Sequence, residues 1–193
     1  WIRDVEGIFE AHKVASTRAS TKMFWVVDAD AEIVEDFKFD YIPDVYDQEV
    51  VHVWASKNPI TDDEYGYGGV KLFPAEMVRN ATSWGIDFTT GLSSRFKSMP
   101  QISCVTRFNT DAYSTWRSAF RECVKLASNC IKGSDPNTNS MILDKWLNNS
   151  KGTHADWNQQ GAEDAVKFVA EDQDLNKIWD WNFINSMFQK HTL

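Results

Sequence analysis

The sequence predicts an α/β fold, a mixed sheet flanked by helices, followed by a helical C-terminal part. Three observations carry that expectation. First, Met23-Phe24-Trp25-Val26-Val27 is an unbroken apolar run that stops at Asp28-Ala29-Asp30, the pattern of a strand covered on both faces, as in a parallel sheet. Second, Val50-Val51-His52-Val53-Trp54-Ala55 and Val70-Lys71-Leu72-Phe73 repeat the strand signature, separated by polar and glycine-rich loops. Third, from Thr110 onward the apolar residues recur at helical spacing.

Taken in order, residues 4–20 form a helix with a broken apolar stripe of Val5, Ile8, Phe9, His12, Val14 and Ala15. A helix feeding a buried strand is half of a βαβ unit. The strand that should precede the helix is absent, and the first residue is Trp1 rather than Met, so the first strand or strands are expected to be missing. After the strand at 23–27, Phe37, Phe39 and Tyr41 alternate in an extended segment. Pro74 ends the strand at 70–73 and opens a short helix through Arg79. Residues 86–89 and 102–108 read as short strands. Tyr113, Trp116, Phe120, Cys123, Val124 and Ala127 mark a long helix capped near Thr110. Gly133-Ser134-Asp135-Pro136-Asn137 breaks it, and further helices are expected at about 139–148, 161–171 and 175–190. The whole chain, 1–193, is expected to be one domain, with an α/β core over about 1–110 and a helical part over about 111–193.

Composition excludes several classes. The 42% apolar content of 193 residues is enough for one sizeable core. The net charge of −8 and the scatter of lysines and arginines exclude a basic nucleic-acid-binding face. The three cysteines, Cys104, Cys123 and Cys130, form no C-x-x-C pair and no even set, which points to a reducing, cytoplasmic compartment. No apolar stretch is long enough to span a membrane.

The chemistry is expected where the first strand ends. Ligands of open α/β sheets bind outside the carboxyl ends of the strands, and Asp28 and Asp30 stand there. Two carboxylates so close repel each other, and a divalent cation with oxygen ligands answers that repulsion. No glycine-rich phosphate loop precedes them. Glu32 occupies the position where a dehalogenase-type phosphatase needs a small hydroxyl or β-branched side chain.

His12-Lys13-Val14-Ala15 through Trp25-Val26-Val27-Asp28-Ala29-Asp30-Ala31-Glu32-Ile33 resembles the centre of a GT-A glycosyltransferase, with its DxD motif after a buried strand. The entry Tyr67-Gly68-Gly69-Val70 into the next strand adds to that likeness, which covers about residues 8–75. Asn58-Pro59, Gly66 through Pro74, and Thr115-Trp116-Arg117-Ser118-Ala119-Phe120-Arg121-Glu122-Cys123 are similar to predicted glycosyltransferase-like proteins of marine tailed phages.

The resemblance implies a metal-dependent glycosyltransferase. It would move a sugar from a nucleotide-sugar donor to a glycan, protein or nucleic-acid-base acceptor. Asp28 would lie near the ribose and the metal, and Asp30 would ligate Mn²⁺ or Mg²⁺. His12 and Lys13 fall near the expected diphosphate, while Gly68 and Gly69 would shape the sugar pocket. His154 or His191 would supply a late metal ligand. An inverting enzyme also needs a carboxylate base; Asp87 and Asp111 are the leading candidates, with Glu163 and Asp164 also open. Trp84, before Gly85 in a polar loop, is the tryptophan placed to stack on an acceptor sugar. Arg117 and Arg121 share a helix face, fit either to meet phosphate or to pair with Glu122 and other acids. Two other classes remain open: a nucleotidyltransferase of similar fold, and a non-catalytic, phage-associated binding module.

Overall fold

The computed structural model describes residues 2–66, 68–93, 95–171 and 174–191. Trp1 and Tyr67, which figured in the sequence reading, lie outside them. The described chain divides into two compact units, the first comprising 1–57 and 64–106 and the second 58–63 and 107–193.

The first unit is built on a six-stranded mixed sheet. Helix α1 (Ile8–Arg18) leads into β1 (Met23–Val27), and β2 (Ala31–Ile33) follows after a tight turn. The remaining strands are β3 (Val51–Lys57), β4 (Glu64–Tyr65), β5 (Val70–Pro74) and β6 (Phe96–Thr106). Helices α2 (Ala75–Asn80) and α3 (Phe88–Leu92) lie between β5 and β6 in the chain. The strand order is β1-β5-β3-β6-β2, with β4 paired to β3 off that path. Among the described residues only β3 and β6 are parallel neighbours; the other pairings are antiparallel.

This order corrects the reading of β1 as a strand of a parallel sheet. Its bounds are as expected, but it lies at the edge of the sheet and pairs antiparallel with β5, Val27 opposite Val70. Both faces of β1 are partly covered. Phe24 and Val26 pack against a cluster of Phe9, Val51, Val53, Phe73, Val78 and Phe88. Met23 and Trp25 pack on the other face against Phe37, Trp54, Val70, Leu72 and Cys104. The alternation along β1, β3 and β5 is the period of two that a pleated strand imposes. The edge position leaves Val27 43% exposed, whereas Val51, His52 and Trp54 on the central β3 are at most 1% exposed.

Two segments differ from the expected elements. Residues 86–89 are not a strand: Asp87 accepts a hydrogen bond from the Thr90 amide at 2.9 Å and starts α3. A cap that satisfies an orphan N–H outweighs the strand propensity of Ile86, Phe88 and Thr89. Strand β6 is longer than the short strand expected at 102–108, because its polar first half pairs with β3 through irregular register near Trp54 and Ala55. Pro100 sits in that irregular stretch, where a strand tolerates a missing donor.

The second unit is helical. It contains α4 (Ala112–Ser128), α5 (Pro136–Asn148), α6 (Ala155–Ala170), a 3₁₀ turn (Leu175–Trp179) and α7 (Trp181–Gln189). The expected single helix at 175–190 is thus two, divided at Asp180, whose carboxylate caps α7 through the Asn182 and Phe183 amides. Asp111 and Asp135 cap α4 and α5 in the same way. Trp116, Phe120, Trp146 and Ile184 are fully buried in this unit, and Phe108 stacks on Trp146. Residues 58–63 complete it. Asn58 Oδ1 accepts from the amides of Ile60 and Thr61 at 2.9 and 3.1 Å, Lys145 pairs with Asp63, and Ile60 is 1% exposed. Among the described residues no helix is long and apolar enough to cross a membrane.

Candidate functional site

The carboxyl end of β1 makes a compact turn. The Asp28 amide donates to the Gly69 carbonyl at 2.9 Å, which extends the ladder with β5 by one residue. The Ala31 amide then donates back to the Asp28 carbonyl at 3.0 Å, closing a four-residue turn over Asp28-Ala29-Asp30-Ala31. Beyond it, β2 pairs with the end of β6, Ala31 opposite Thr106. Both aspartates are held in one short turn by backbone geometry. Asp30 is exposed and Asp28 is half-buried.

Gly69 makes this turn possible. A Cβ there would lie 2.5 Å from Cys104 Sγ, 3.4 Å from the Ala31 Cβ and 3.5 Å from Thr106 Oγ1. The start of β5 therefore rests directly on β2 and the end of β6, although β3 stands between β5 and β6 in the strand order. The absent side chain lets the start of β5 approach the start of β2 and the end of β6 this closely. Burial pushes the Cys104 thiol above its ordinary value; hydrogen bonds from Ser103 and Thr106 oppose the rise, and the charges of Asp28 and Asp30 add to it. Cys104 is a packed thiol, not a nucleophile.

The sequence reading missed one residue of this site. Lys71 Nζ lies 3.2 Å from Asp28 Oδ2, and the lysine side chain is 12% exposed against 37% for the aspartate. Gly68, at φ +94°, gives it room, for a Cβ there would stand 2.9 Å from Lys71 Cε and 3.1 Å from Nζ. Lys71 is the one cation in an otherwise apolar strand, which is a signal in the sequence. Its partner follows only from the β1–β5 register.

His12 is buried beneath the same site, its ring against Phe73 and Phe88. One ring nitrogen, Nδ1, lies 2.7 Å from the Ile8 carbonyl, whereas Nε2 is buried without a hydrogen-bond partner. Burial holds the imidazole below its ordinary pKa; the Ile8 carbonyl opposes that shift, Lys71 adds to it and Asp28 opposes it. A neutral, enclosed imidazole is a poor partner for a diphosphate. Lys13 is also engaged elsewhere: its Nζ donates to the Ala81 carbonyl at 2.9 Å and lies over the Phe9 ring. Trp84 is 40% exposed and stacks on Phe9 with ring centroids 4.4 Å apart.

The candidate bases are helix caps. Asp87 Oδ1 accepts from both the amide and the hydroxyl of Thr90. Asp111 accepts from the Ser114 amide and hydroxyl, both at 2.8 Å, and these bonds hold its carboxyl below the ordinary range. These bonds give both residues a structural task at the head of a helix. His154 caps α6 of the second unit in a left-handed conformation, φ 64°, without a side-chain cap bond. His191 Nε2 lies 2.6 Å from Asp164 Oδ2, and Asp164 also accepts from Trp116 Nε1. Among the described residues no group of three or more His, Cys, Asp or Glu is placed to hold a metal ion. The site thus gathers Asp28, Asp30, Gly68, Gly69 and His12 from the sequence reading and adds Lys71.

No protein family, curated protein or solved structure matches the chain.

Proposed function

We propose that the first unit binds a nucleotide-sugar at the carboxyl end of β1 and serves a GT-A-like, metal-dependent glycosyl transfer. The observation that carries this reading is the turn at Asp28–Ala31. It fixes two carboxylates beside a glycine entry to β5, at the end of the sheet where ligands of such folds collect. Asp28 and Asp30 fit a hard divalent cation, because Mg²⁺ takes one or two carboxylates and completes its shell with substrate phosphates and water. Mn²⁺ or Mg²⁺, when bound, offsets the negative charge that develops on a leaving nucleoside diphosphate.

This chain's own residues have separate tasks in that reading. Asp28 and Asp30 supply the negative charge that holds the cation. Lys71 balances Asp28 and stands ready to meet a donor phosphate oxygen once a cation engages that carboxylate. Gly68 leaves room for Lys71, and Gly69 lets the entry to β5 pack against Cys104 beneath the turn. Trp84 offers a flat, partly exposed ring for a sugar face. The acceptor is a glycan, a protein or a nucleic-acid base.

The Asp28–Lys71 ion pair favours a second reading. It gives Asp28 a countercharge without any cation, as in a binding module that keeps the fold and does no chemistry. A thermal-shift screen of sugar nucleotides, with and without Mn²⁺, separates the two on wild type, Asp28→Asn and Asp30→Asn. Sugar transfer expects a Mn²⁺-dependent upshift with at least one donor, lost in both variants. Binding that ignores Mn²⁺ and both substitutions leaves the module reading. Release of pyrophosphate from a nucleoside triphosphate would instead identify a nucleotidyltransferase.

A further inference from the structure

On the second unit, α4 presents Arg117 and Arg121 one turn apart on a single face. The Arg117 guanidinium carbon lies 5.3 Å from the Tyr113 ring centroid and 5.0 Å from that of Trp181. The Arg121 carbon lies 5.3 Å from the Trp179 ring and 4.9 Å from the same Trp181 ring. One exposed tryptophan is therefore shared by two guanidinium groups.

Among the described residues neither arginine forms an ion pair. Glu122, the sequence neighbour available for pairing, is held by Lys125 at 2.7 Å. Asp180 spends Oδ1 on the amides of Asn182 and Phe183. Arg121 Nε donates to the Ile178 carbonyl at 2.7 Å, which fixes the side chain and leaves the forked end of the guanidinium unspent. A further donor, Trp179 Nε1, is buried with no acceptor. Burial, and next the Arg117 charge, lower the Arg121 pKa to about 10, so it still carries its charge at neutral pH. In a chain of net charge −8, two like charges have been brought together where scattered acids were available to neutralise them.

Stacking on aromatic faces leaves the edge of a guanidinium free, and that edge matches the oxygens of a phosphate in a bidentate fork. Beside the cluster is an open groove of about 240 Å³ lined by Tyr113, Asn185, Phe188 and Gln189. Arg117 covers the Tyr113 ring at its edge. We propose that Arg117 and Arg121 form a binding site for a phosphate group, carried on a saccharide-sized ligand whose body lies along the Tyr113–Phe188 groove. The proposal involves no residue of the first unit and does not depend on sugar transfer there.

Calorimetric titration of the whole chain with inorganic phosphate, glucose 1-phosphate and glucose, at low salt, tests it. Saturable binding of a phosphate-bearing probe, absent for glucose, is the expected result. Arg117→Gln should weaken that binding about tenfold or more, the loss of one charge-assisted contact. Arg117→Lys, which keeps the charge and loses the fork, should fall between the two and serves if Arg117→Gln does not fold. Tighter binding of glucose 1-phosphate than of phosphate supports the ligand body in the groove; equal binding supports the arginine site with free phosphate as its ligand. No saturable heat in the millimolar range overturns the proposal, as does binding equally tight in wild type and Arg117→Gln.

Discussion

Gly69 lies so close to Cys104 that a Cβ on the glycine would stand 2.5 Å from the cysteine sulfur. There the start of β5 packs directly on the end of β6 and the start of β2. Gly69→Ala is expected to destabilise the first unit by about 1–3 kcal/mol through overpacking. Adding Cys104→Ala should restore part of the loss, and denaturant unfolding of the two single variants and the double variant measures the coupling.

Lys71→Met should move two affinities in opposite directions. Removing the ion pair at 3.2 Å frees Asp28, so Mn²⁺ alone should bind severalfold more tightly. The same change removes a cation from the phosphate position, so a nucleoside diphosphate with Mn²⁺ should bind more weakly. Calorimetry with the metal alone, then with metal and nucleotide, reads both; a change of the same sign in both would defeat the assignment of Lys71.

Asp87→Ala and Asp111→Ala should behave as lost caps. Each is expected to cost about 1 kcal/mol of stability, visible as a lower midpoint in chemical denaturation. Donor binding should be unchanged in both. A loss of turnover at full donor affinity would instead return that residue to the role of catalytic base.

Stability should fall as the solution is acidified below pH 6.5. Burial holds both His12 and His52 below their ordinary value of 6.5, and both ring nitrogens of His52 are buried without a partner. The unfolded chain therefore takes up protons first. The stabilisation is complete above pH 6.5 and is lost as pH falls from there through the folded-state values, by at most about 1.4 kcal/mol per pH unit for each histidine. Asp111, Asp135 and Asp174, all shifted below 3.8, act only in a lower window. Thermal melts between pH 7.5 and 5.0 should show the slope, and His52→Leu should reduce it.

The sequence made local features legible and left long-range ones hidden. The bounds of β1 follow from five apolar residues between a polar Ser-Thr-Lys segment and Asp28. Its place at a sheet edge does not, because an apolar run is the same whether its neighbours run parallel or antiparallel. The head of α4 could be read from capping chemistry near Thr110, whereas Asp135-Pro136 reads as part of a break and in the fold caps and opens α5; Asp87, two residues after Gly85, was hidden by the β-branched and aromatic residues around it. In the site, the acids could be read from the apolar strand that ends on them, and the two glycines only through the family resemblance. Lys71 could not be paired with Asp28, since that partnership is fixed by the pairing of Val27 with Val70. Arg117 and Arg121 were visible as a pair, but their aromatic neighbours Trp179 and Trp181 lie about sixty residues away, beyond the reach of helical periodicity.

The short segment 58–63 carries a consequence for how the chain can be made and divided. It is synthesised long before α4 to α7, yet the Ile60 carbonyl accepts from the Lys151 amide at 3.1 Å and Asp63 pairs with Lys145. That unit is consequently not a tail that can be cut off at residue 107. A chain of residues 107–193 alone would leave Lys145 without Asp63 and lose the buried Ile60 side chain. On the ribosome, a six-residue piece must wait for the last third of the sequence before its partners exist.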